Sequence, residues 1–283
     1  MLTGILFALL AISVFLLIYV FGVISYVDFK MFLAQNFSTH IYLYILVGFF
    51  AQLIDGTLGM AYGVSSTSFL ISTGVSPIIS SASVHTAEIF TSGISGLSHW
   101  KFKNVDKQLF LQLALPGVIG AILGAYFLSS FDGNLLKPYI TIYLFLMGVR
   151  IIYKAYKKIN IDSKKFKKYS ILGLIGGFVD ASGGGGWGPV VTTTLVGTGK
   201  DPKITIGTVN AAEFLVTIAS SSIFTMIIGI KHWTIILGLL LGGILAAPLA
   251  AFLCHKINSR WAMYLVGVII IGLSIRTLLK ILL

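Results

Sequence analysis

The chain has 283 residues, of which 57% are hydrophobic and 10% are charged, and its mean hydropathy is +0.97. About a quarter of the residues in soluble domains are charged, so this composition excludes an ordinary soluble protein and predicts a membrane protein. The net charge of +11 would suggest nucleic acid in a soluble protein. Here the lysines stand in short loops between apolar runs, so they indicate membrane topology, and no nucleic-acid motif is found.

The first apolar run, residues 2–26, is long enough to span a bilayer and has no cleavage-site pattern. We expect an extra N-terminal transmembrane helix and loop over residues 1–40. Further apolar runs fall at 41–54, 63–74, 77–99, 108–130, 134–153, 170–180, 189–198, 203–230, 233–254 and 260–283. Because backbone groups in lipid must be satisfied internally, the full-length runs predict transmembrane helices and an all-α polytopic fold.

Two of the predicted segments are interrupted by glycines and an aspartate. The first break runs from Asp55 to Gly63, and the second runs from Asp180 to Pro189 and contains four consecutive glycines. Glycine is a poor helix former, and non-helical backbone at membrane depth is tolerated only beside protein or a wet cavity. We therefore predict broken or re-entrant helices at these two places.

A shift of 125 residues superposes the second half of the chain on the first without a gap. The coincident residues include types that hydrophobic bias would not align: Asp55 with Asp180, Pro77 with Pro202, and Glu88 with Glu213. The shift predicts two homologous helical-bundle repeats, 41–155 and 170–283, joined by a linker at 156–169.

The stretch 154–168 is rich in lysine, so we expect the linker to lie in the cytoplasm. If the broken segments re-enter, each half has three full spans and the repeats are inverted. If they cross, each half has four spans and the repeats are parallel. The loop charges favour neither arrangement, and we prefer inverted repeats because they are common in transporters.

Two glutamates stand at equivalent positions within predicted spans. Glu88 and Glu213 each follow the helix-opening proline by about 16 Å of helix, near the middle of a ~30 Å hydrocarbon core. A carboxyl at this depth either binds protons or gates access, or it is a paired group that locks helices together. One turn before them stand His85 and Asn210. His85 could exchange protons with Glu88 or contact substrate, or it could be structural.

The aspartates and the residues after each break suggest a substrate site. Asp55 and Asp180 are expected to cap the following half-helix, with a cation or proton site as the alternative. Exposed N–H groups at a helix N-terminus attract anions, and nearby hydroxyls can donate hydrogen bonds. The candidate substrate-binding residues are Tyr62, Ser65, Ser66, Thr67, Gly184, Gly185, Gly186, Trp187, Thr192 and Thr193. The alternative is that these residues only pack between helices.

No pattern supports a resident metal, a cofactor or an enzyme. The single cysteine, Cys254, excludes an intramolecular disulfide and a cysteine-based metal site. Gly93-Ile94-Ser95-Gly96 matches the short Gly-x-Ser-Gly pattern of intramembrane serine proteases, but no histidine base stands out for Ser95. An anion channel built on the same breaks and a membrane-embedded enzyme are kept as alternatives to a transporter.

The chain resembles the sulfite exporter TauE/SafE family, also known as DUF81 or TSUP permeases. The resemblance covers both halves and rests on the duplicated layout, on Gly183–Pro189, and on the segments 83–90 and 207–214. It implies a plasma-membrane permease for sulfite, organosulfonates or related small anions, coupled to protons. Anion movement driven by the membrane potential is also physically reasonable, because moving one charge across 100 mV is worth about 2.3 kcal/mol. The partners so implied are a small anion, protons and the bilayer; the oligomeric state stays open.

Overall fold

The computed structural model describes residues 41–156, 168–198, 200–229, 232–253 and 259–283. The predicted N-terminal helix 1–40, most of the linker and Cys254 lie outside these residues. The helices of the first half are α1 (Ile41–Leu58), α2 (Tyr62–Ser72), α3 (Pro77–Lys101), α4 (Lys107–Ser129) and α5 (Gly133–Tyr156). Those of the second half are α6 (Tyr169–Gly183), a π-helical turn (Gly188–Thr192) that continues into α7 (Thr193–Gly197), α8 (Pro202–Ile228), α9 (Trp233–Leu253) and α10 (Ser259–Leu282). The described residues contain no strand, which confirms the all-α prediction.

Several helices have the length and composition to cross a membrane. They are Ile41–Leu58, Lys107–Ser129, Gly133–Tyr156, Pro202–Ile228 and Arg260–Leu282. Large apolar side chains on their outer faces stay exposed; Leu115, Tyr139 and Leu265 are each at least 60% exposed. Such an apolar exterior is what a lipid-facing surface requires.

The long helices α3 and α8 begin alike. Pro77 and Pro202 each stand in the first turn, where proline's missing N–H group costs no hydrogen bond. Ser76 Oγ accepts from Ile79 N–H at 3.5 Å, and the Asp201 carboxylate accepts from Ile204 N–H at 2.9 Å. The sequence prediction that the prolines open these helices is confirmed.

Both interrupted segments turn back on themselves. In the second, Trp187 N–H reaches the Asp180 side chain, and further from the turn Gly176 lies against Val191. Residues before and after the turn therefore pair in reverse order, so α6 and α7 form a helical hairpin, here called hairpin 2 (169–197). In the first, Tyr44 near the start of α1 joins the hydrophobic cluster that contains Leu70 near the end of α2. This is hairpin 1 (41–72).

Helices at equivalent positions in the two halves pack against each other in opposite directions. In the α3–α8 pair, Gly93 lies against Phe214, whereas Gly207 lies against His99. In the α5–α10 pair, Gly148 contacts the region of Ile271, and Gly267 contacts Ile152. An antiparallel contact between equivalent helices is the relation that inverted repeats would produce.

Each hairpin packs on a helix of the other half. A side chain at Gly48 in α1 would overlap the backbone of Leu239 in α9. A side chain at Gly177 in α6 would likewise overlap the backbone of Gly117 in α4. These glycines let backbones approach closely, as small residues do in membrane helix interfaces. The two halves are thereby interlocked, and both glycine breaks are brought to the same place.

Candidate functional site

The two breaks touch, and the contact is reciprocal. Thr192 Oγ1 donates to the Gly59 carbonyl at 2.9 Å, and Thr67 Oγ1 donates to the Gly184 carbonyl. Thr67 and Thr192 are thus each bound to the break of the opposite hairpin. Between these hydrogen bonds Gly185 lies directly against Gly63, at a distance that leaves no room for a side chain. We call this contact the crossing.

Valine at Thr67 or Thr192 removes a hydroxyl that satisfies a buried carbonyl. An unsatisfied buried acceptor costs about 1–3 kcal/mol, so Thr67→Val and Thr192→Val should each lower the melting temperature of the detergent-solubilised protein. Thr198→Val is the matched control, because the Thr198 hydroxyl bonds to Leu195 O, three residues earlier in the chain. If both crossing variants melt with the wild type, the reciprocal bonds do not stabilise the crossing.

The two aspartates accept hydrogen bonds from the half-helices that follow them. Trp187 N–H donates to Asp180 Oδ1 at 2.9 Å, and Tyr62 N–H donates to Asp55 Oδ1 at 3.4 Å. Gly185 N–H is also engaged, by the backbone carbonyl of Asp180 at 2.9 Å. N–H groups that the sequence suggested for anion binding are therefore occupied by the protein's own oxygens.

His85 pairs with Asp180 of the other half and not with Glu88. Its Nε2 lies 3.1 Å from Asp180 Oδ2, and its Nδ1 lies 2.8 Å from the backbone oxygen of Ser81. A carbonyl oxygen only accepts, so Nδ1 is assigned the hydrogen of the ring. Nε2 and the carboxyl then share a second proton, on one partner or the other. The pair is a buried proton-holding unit.

Ser81, His85 and Asp180 have the composition of a hydrolytic triad but not its connections. The Ser81 hydroxyl donates to the Ala181 carbonyl at 2.9 Å, and its contact with His85 Nδ1 is longer, at 3.3 Å. Because Nδ1 faces the Ser81 carbonyl, it cannot serve as the base for that hydroxyl. All three residues are buried, and the arrangement is that of a structural and proton-holding cluster.

Glu88 and Glu213 face the protein interior. Their exposed fractions are 3% and 8%, and the charges of Asp55 and Asp180 act on both of them. Glu88 Oε2 is buried without a hydrogen-bond partner among the described residues. Asp55, Glu88, Asp180 and Glu213 are here called the carboxyl cluster. His85 is the cation-forming side chain paired with it, and no group with the composition of a metal site occurs in the described part of the chain.

Asn210, the counterpart of His85, makes a different contact. Its Nδ2 donates to Ser95 Oγ at 2.8 Å, and its Oδ1 has no hydrogen-bond partner in the described structure. The serine of the protease-like pattern therefore lies against an amide rather than a histidine. Among the described residues, His85 pairs with Asp180 but no histidine pairs with Asp55. The two halves thus contribute unequally to the carboxyl cluster.

The predicted substrate-binding hydroxyls divide into engaged and free ones. Ser65 donates to Ala61 O, and Thr193 donates to Pro189 O, each to the residue four positions earlier in the chain. Ser66 Oγ, by contrast, is fully buried without a hydrogen-bond partner in the structure as described. The hydroxyl of Ser68, which follows in the same run of hydroxyl residues, is also buried without a partner among the described residues. Free hydroxyls of this kind can bind water or an oxyanion.

The predicted aromatic residues are anchored by hydrogen bonds. Tyr62 OH donates to Leu239 O and Trp187 Nε1 donates to Val209 O, each at 3.1 Å. Sequence reasoning missed a third aromatic residue, Tyr143 of α5, whose hydroxyl donates to Gly185 O at 2.7 Å. In the sequence Tyr143 is marked only by its hydroxyl group, which stands within the apolar run 134–153. Gly186, the remaining predicted glycine, lies beside the same hydroxyl.

A small cavity lies near the His85–Asp180 pair. Its volume is about 20 Å³, and Ser83, Thr86, Phe224 and His232 are among the residues that line it. Phe224 lines this cavity and also packs near His85, with ring centroids 6.0 Å apart. A cavity of this size holds about one water molecule.

Comparison with known proteins decides the class. The family model described as Sulfite exporter TauE/SafE matches residues 44–277. The chain belongs to the sulfite exporter TauE/SafE family. It is 45% identical over 248 residues to the probable membrane transporter protein YtnM of Bacillus subtilis (strain 168), covering 84% of this chain and 82% of that one. It is 23% identical over 260 residues to the probable membrane transporter protein YunE of the same organism, covering 80% and 93%.

No solved structure matches the chain. As a TauE/SafE protein with several apolar helices, it is a multi-pass membrane transporter. The family places the carboxyl cluster and the crossing in a transporter rather than in an enzyme.

Proposed function

We propose that this TauE/SafE protein is a secondary transporter of a small sulfur-containing oxyanion, such as sulfite or an organosulfonate, coupled to protons. The supporting observation is the position of the carboxyl cluster beside the crossing, where both glycine breaks meet. The crossing is the point at which small movements of either hairpin would open a path. A plasma-membrane location and an origin of 41–155 and 170–283 by duplication are parts of the same proposal.

The electrostatics argue for proton coupling. An anion near the crossing would meet four carboxyl groups and one histidine, and ionised carboxylates in a low-dielectric interior repel it strongly. Protonation removes that repulsion and leaves hydroxyl donors in place of charges. Passage of the anion therefore requires the cluster to load protons first.

Within this proposal, each predicted residue keeps or changes its role. Asp55 and Asp180 cap the half-helices, and Asp180 also holds the shared proton with His85. Glu88 and Glu213 load protons, and Asn210 positions the α3–α8 contact through Ser95. The substrate reaches the free hydroxyl of Ser66 once the reciprocal threonine bonds open.

If each hairpin enters and leaves the membrane on the same side, as we propose, the loop charges can be assigned to sides. With three full spans in each half, the ends of α3 and α5 and the starts of α6 and α8 fall on one side. That side carries Lys101, Lys154, Lys168 and Lys203. Since cytoplasmic loops are enriched in lysine and arginine, we propose that this is the cytoplasmic side.

The test is anion flux into proteoliposomes under an imposed pH difference, with sulfite, methanesulfonate and thiosulfate as substrates. Wild-type flux should saturate and should rise with the pH difference. Glu88→Gln and Glu213→Gln, which keep side-chain size but cannot load a proton, should each reduce the pH-driven component about tenfold or more, as expected when a proton-transfer group is lost. Flux that neither saturates nor responds to pH would indicate an anion channel and contradict the carrier.

A further inference from the structure

The end of α5 nearest the linker carries two positively charged side chains close together. Arg150 and Lys154 are four residues apart, so they share one face of the helix. Their charges act on each other, and no carboxylate of the described residues forms an ion pair with either of them. Two like charges at this spacing destabilise a helix. Something of opposite charge is therefore expected between them.

The Arg150 guanidinium is held in place by hairpin 2. Its Nη2 donates to Thr193 Oγ1 at 3.3 Å and to Thr194 Oγ1 at 3.4 Å. Both threonine hydroxyls donate their own protons back to the helix, to Pro189 O and Val190 O. The hydroxyls thus act as acceptors that orient the guanidinium through a single nitrogen. No acceptor among the described residues engages the other N–H groups of Arg150, and the planar fork of the guanidinium suits an oxyanion.

The same face of α5 leads to the crossing. Tyr143 stands seven residues before Arg150, two helical turns or about 10 Å along the axis. The Tyr143 hydroxyl donates to Gly185 O at the crossing. Tyr143 is also close enough to Arg150 for the two groups to interact electrostatically. Arg150 is exposed and Lys154 is half-buried. The cations are therefore accessible from outside and stand on the helix whose Tyr143 contacts the crossing.

We propose that Arg150 and Lys154, oriented by Thr193 and Thr194, form an oxyanion-binding site at the entrance to the crossing. The ligand is a small group with several negative oxygens, either a free sulfur oxyanion or the phosphate of a lipid headgroup. In the first case the site captures the substrate of the proposed transporter, and its role in transport rests on that proposed function. Binding itself does not depend on transport and is measured separately.

The test is isothermal titration calorimetry. The purified full-length chain in detergent is titrated with sodium sulfite and with methanesulfonate, and Kd is measured for each anion. Arg150→Gln should raise Kd at least about tenfold, because it removes charge-assisted hydrogen bonds to the anion. Arg150→Lys keeps the positive charge but loses the planar fork, so its Kd should lie between those of the wild type and Arg150→Gln. Lys101→Gln removes a lysine from the same side of the protein and should leave Kd within about twofold of wild type.

A second arm identifies the source of the oxyanion. The same variants are melted in nanodiscs of phosphatidylcholine and of phosphatidylglycerol. The site is assigned to a lipid phosphate if phosphatidylglycerol raises the melting temperature of the wild type but not of Arg150→Gln, while the two proteins have the same affinity for sulfite. If Arg150→Gln does not fold, Lys154→Gln takes its place. The proposal is overturned if neither anion affinity nor lipid stabilisation changes in the Arg150 and Lys154 variants. Intact binding without flux would count against the carrier and not against this site.

Discussion

Replacing Asp180 with asparagine should abolish proton-coupled transport while leaving the protein folded. Asparagine keeps the side-chain oxygen that accepts from Trp187 N–H, and it caps helices about as well as aspartate. Asparagine has no negative charge, however, and so it cannot neutralise a protonated His85. Without the carboxylate, a proton on His85 Nε2 would leave an uncompensated buried charge, which costs about 3–5 kcal/mol, so His85 in this variant stays neutral and pH-driven flux falls about 100-fold or more.

Asp55→Asn is the matched control for this experiment. Asp55 occupies the equivalent position in hairpin 1 and accepts from Tyr62 N–H, but no histidine pairs with it among the described residues. Its substitution should reduce pH-driven flux by a smaller factor than that of Asp180. Equal losses in the two variants, or full activity of Asp180→Asn at every pH, would show that the His85–Asp180 pair holds no coupled proton.

Alanine at Gly185 should prevent the two hairpins from meeting. The residue has φ +138, a conformation that L side chains rarely adopt, and its Cβ would overlap the backbone of Gly63 and Val64. Strained backbone of this kind costs about 1–3 kcal/mol, and overpacking adds a similar amount. Gly185→Ala should therefore show a much lower melting temperature, measured by intrinsic fluorescence, and little monodisperse protein on gel filtration.

Gly272→Ala separates this steric effect from glycine substitution in general. Gly272 lies within α10, and a Cβ there would meet nothing within 4 Å. Since alanine favours helix over glycine by about 1 kcal/mol, this variant should melt at or slightly above the wild-type temperature. A Gly185→Ala protein that melts with the wild type would contradict the close packing at the crossing.

Local features of the fold were readable from the sequence. Pro77 and Pro202 open helices because only the first turn tolerates a missing N–H group, and this is a property of the residue itself. The glycine run after Asp180 ends α6 for an equally local reason. Whether that break re-enters or crosses was not readable, because it depends on pairings such as that of Gly176 with Val191 across the turn.

The candidate site was only partly readable for the same reason. His85 and Asp180 are 95 residues apart and meet because hairpin 2 packs on α3 of the other half. Intra-helix spacing suggested Glu88 as the partner of His85, and helical periodicity carries no information about the opposite half. Arg150 was missed because its threonine partners stand on another element. Hydroxyl content alone could not tell the engaged Thr192 from the unpartnered Ser66.

The most direct test of the account is proton movement that accompanies anion movement. Wild-type protein is reconstituted with a pH-sensitive dye inside the vesicles, the membrane potential is clamped at zero, and a sulfite gradient is applied. Protons should move with the anion. At equilibrium a pH difference of one unit, worth about 1.4 kcal/mol per proton, should sustain roughly a tenfold anion gradient for each proton coupled. Anion flux without any proton movement, at the same rate in wild type and Asp180→Asn, would contradict the proposal that the carboxyl cluster must be protonated before the anion passes.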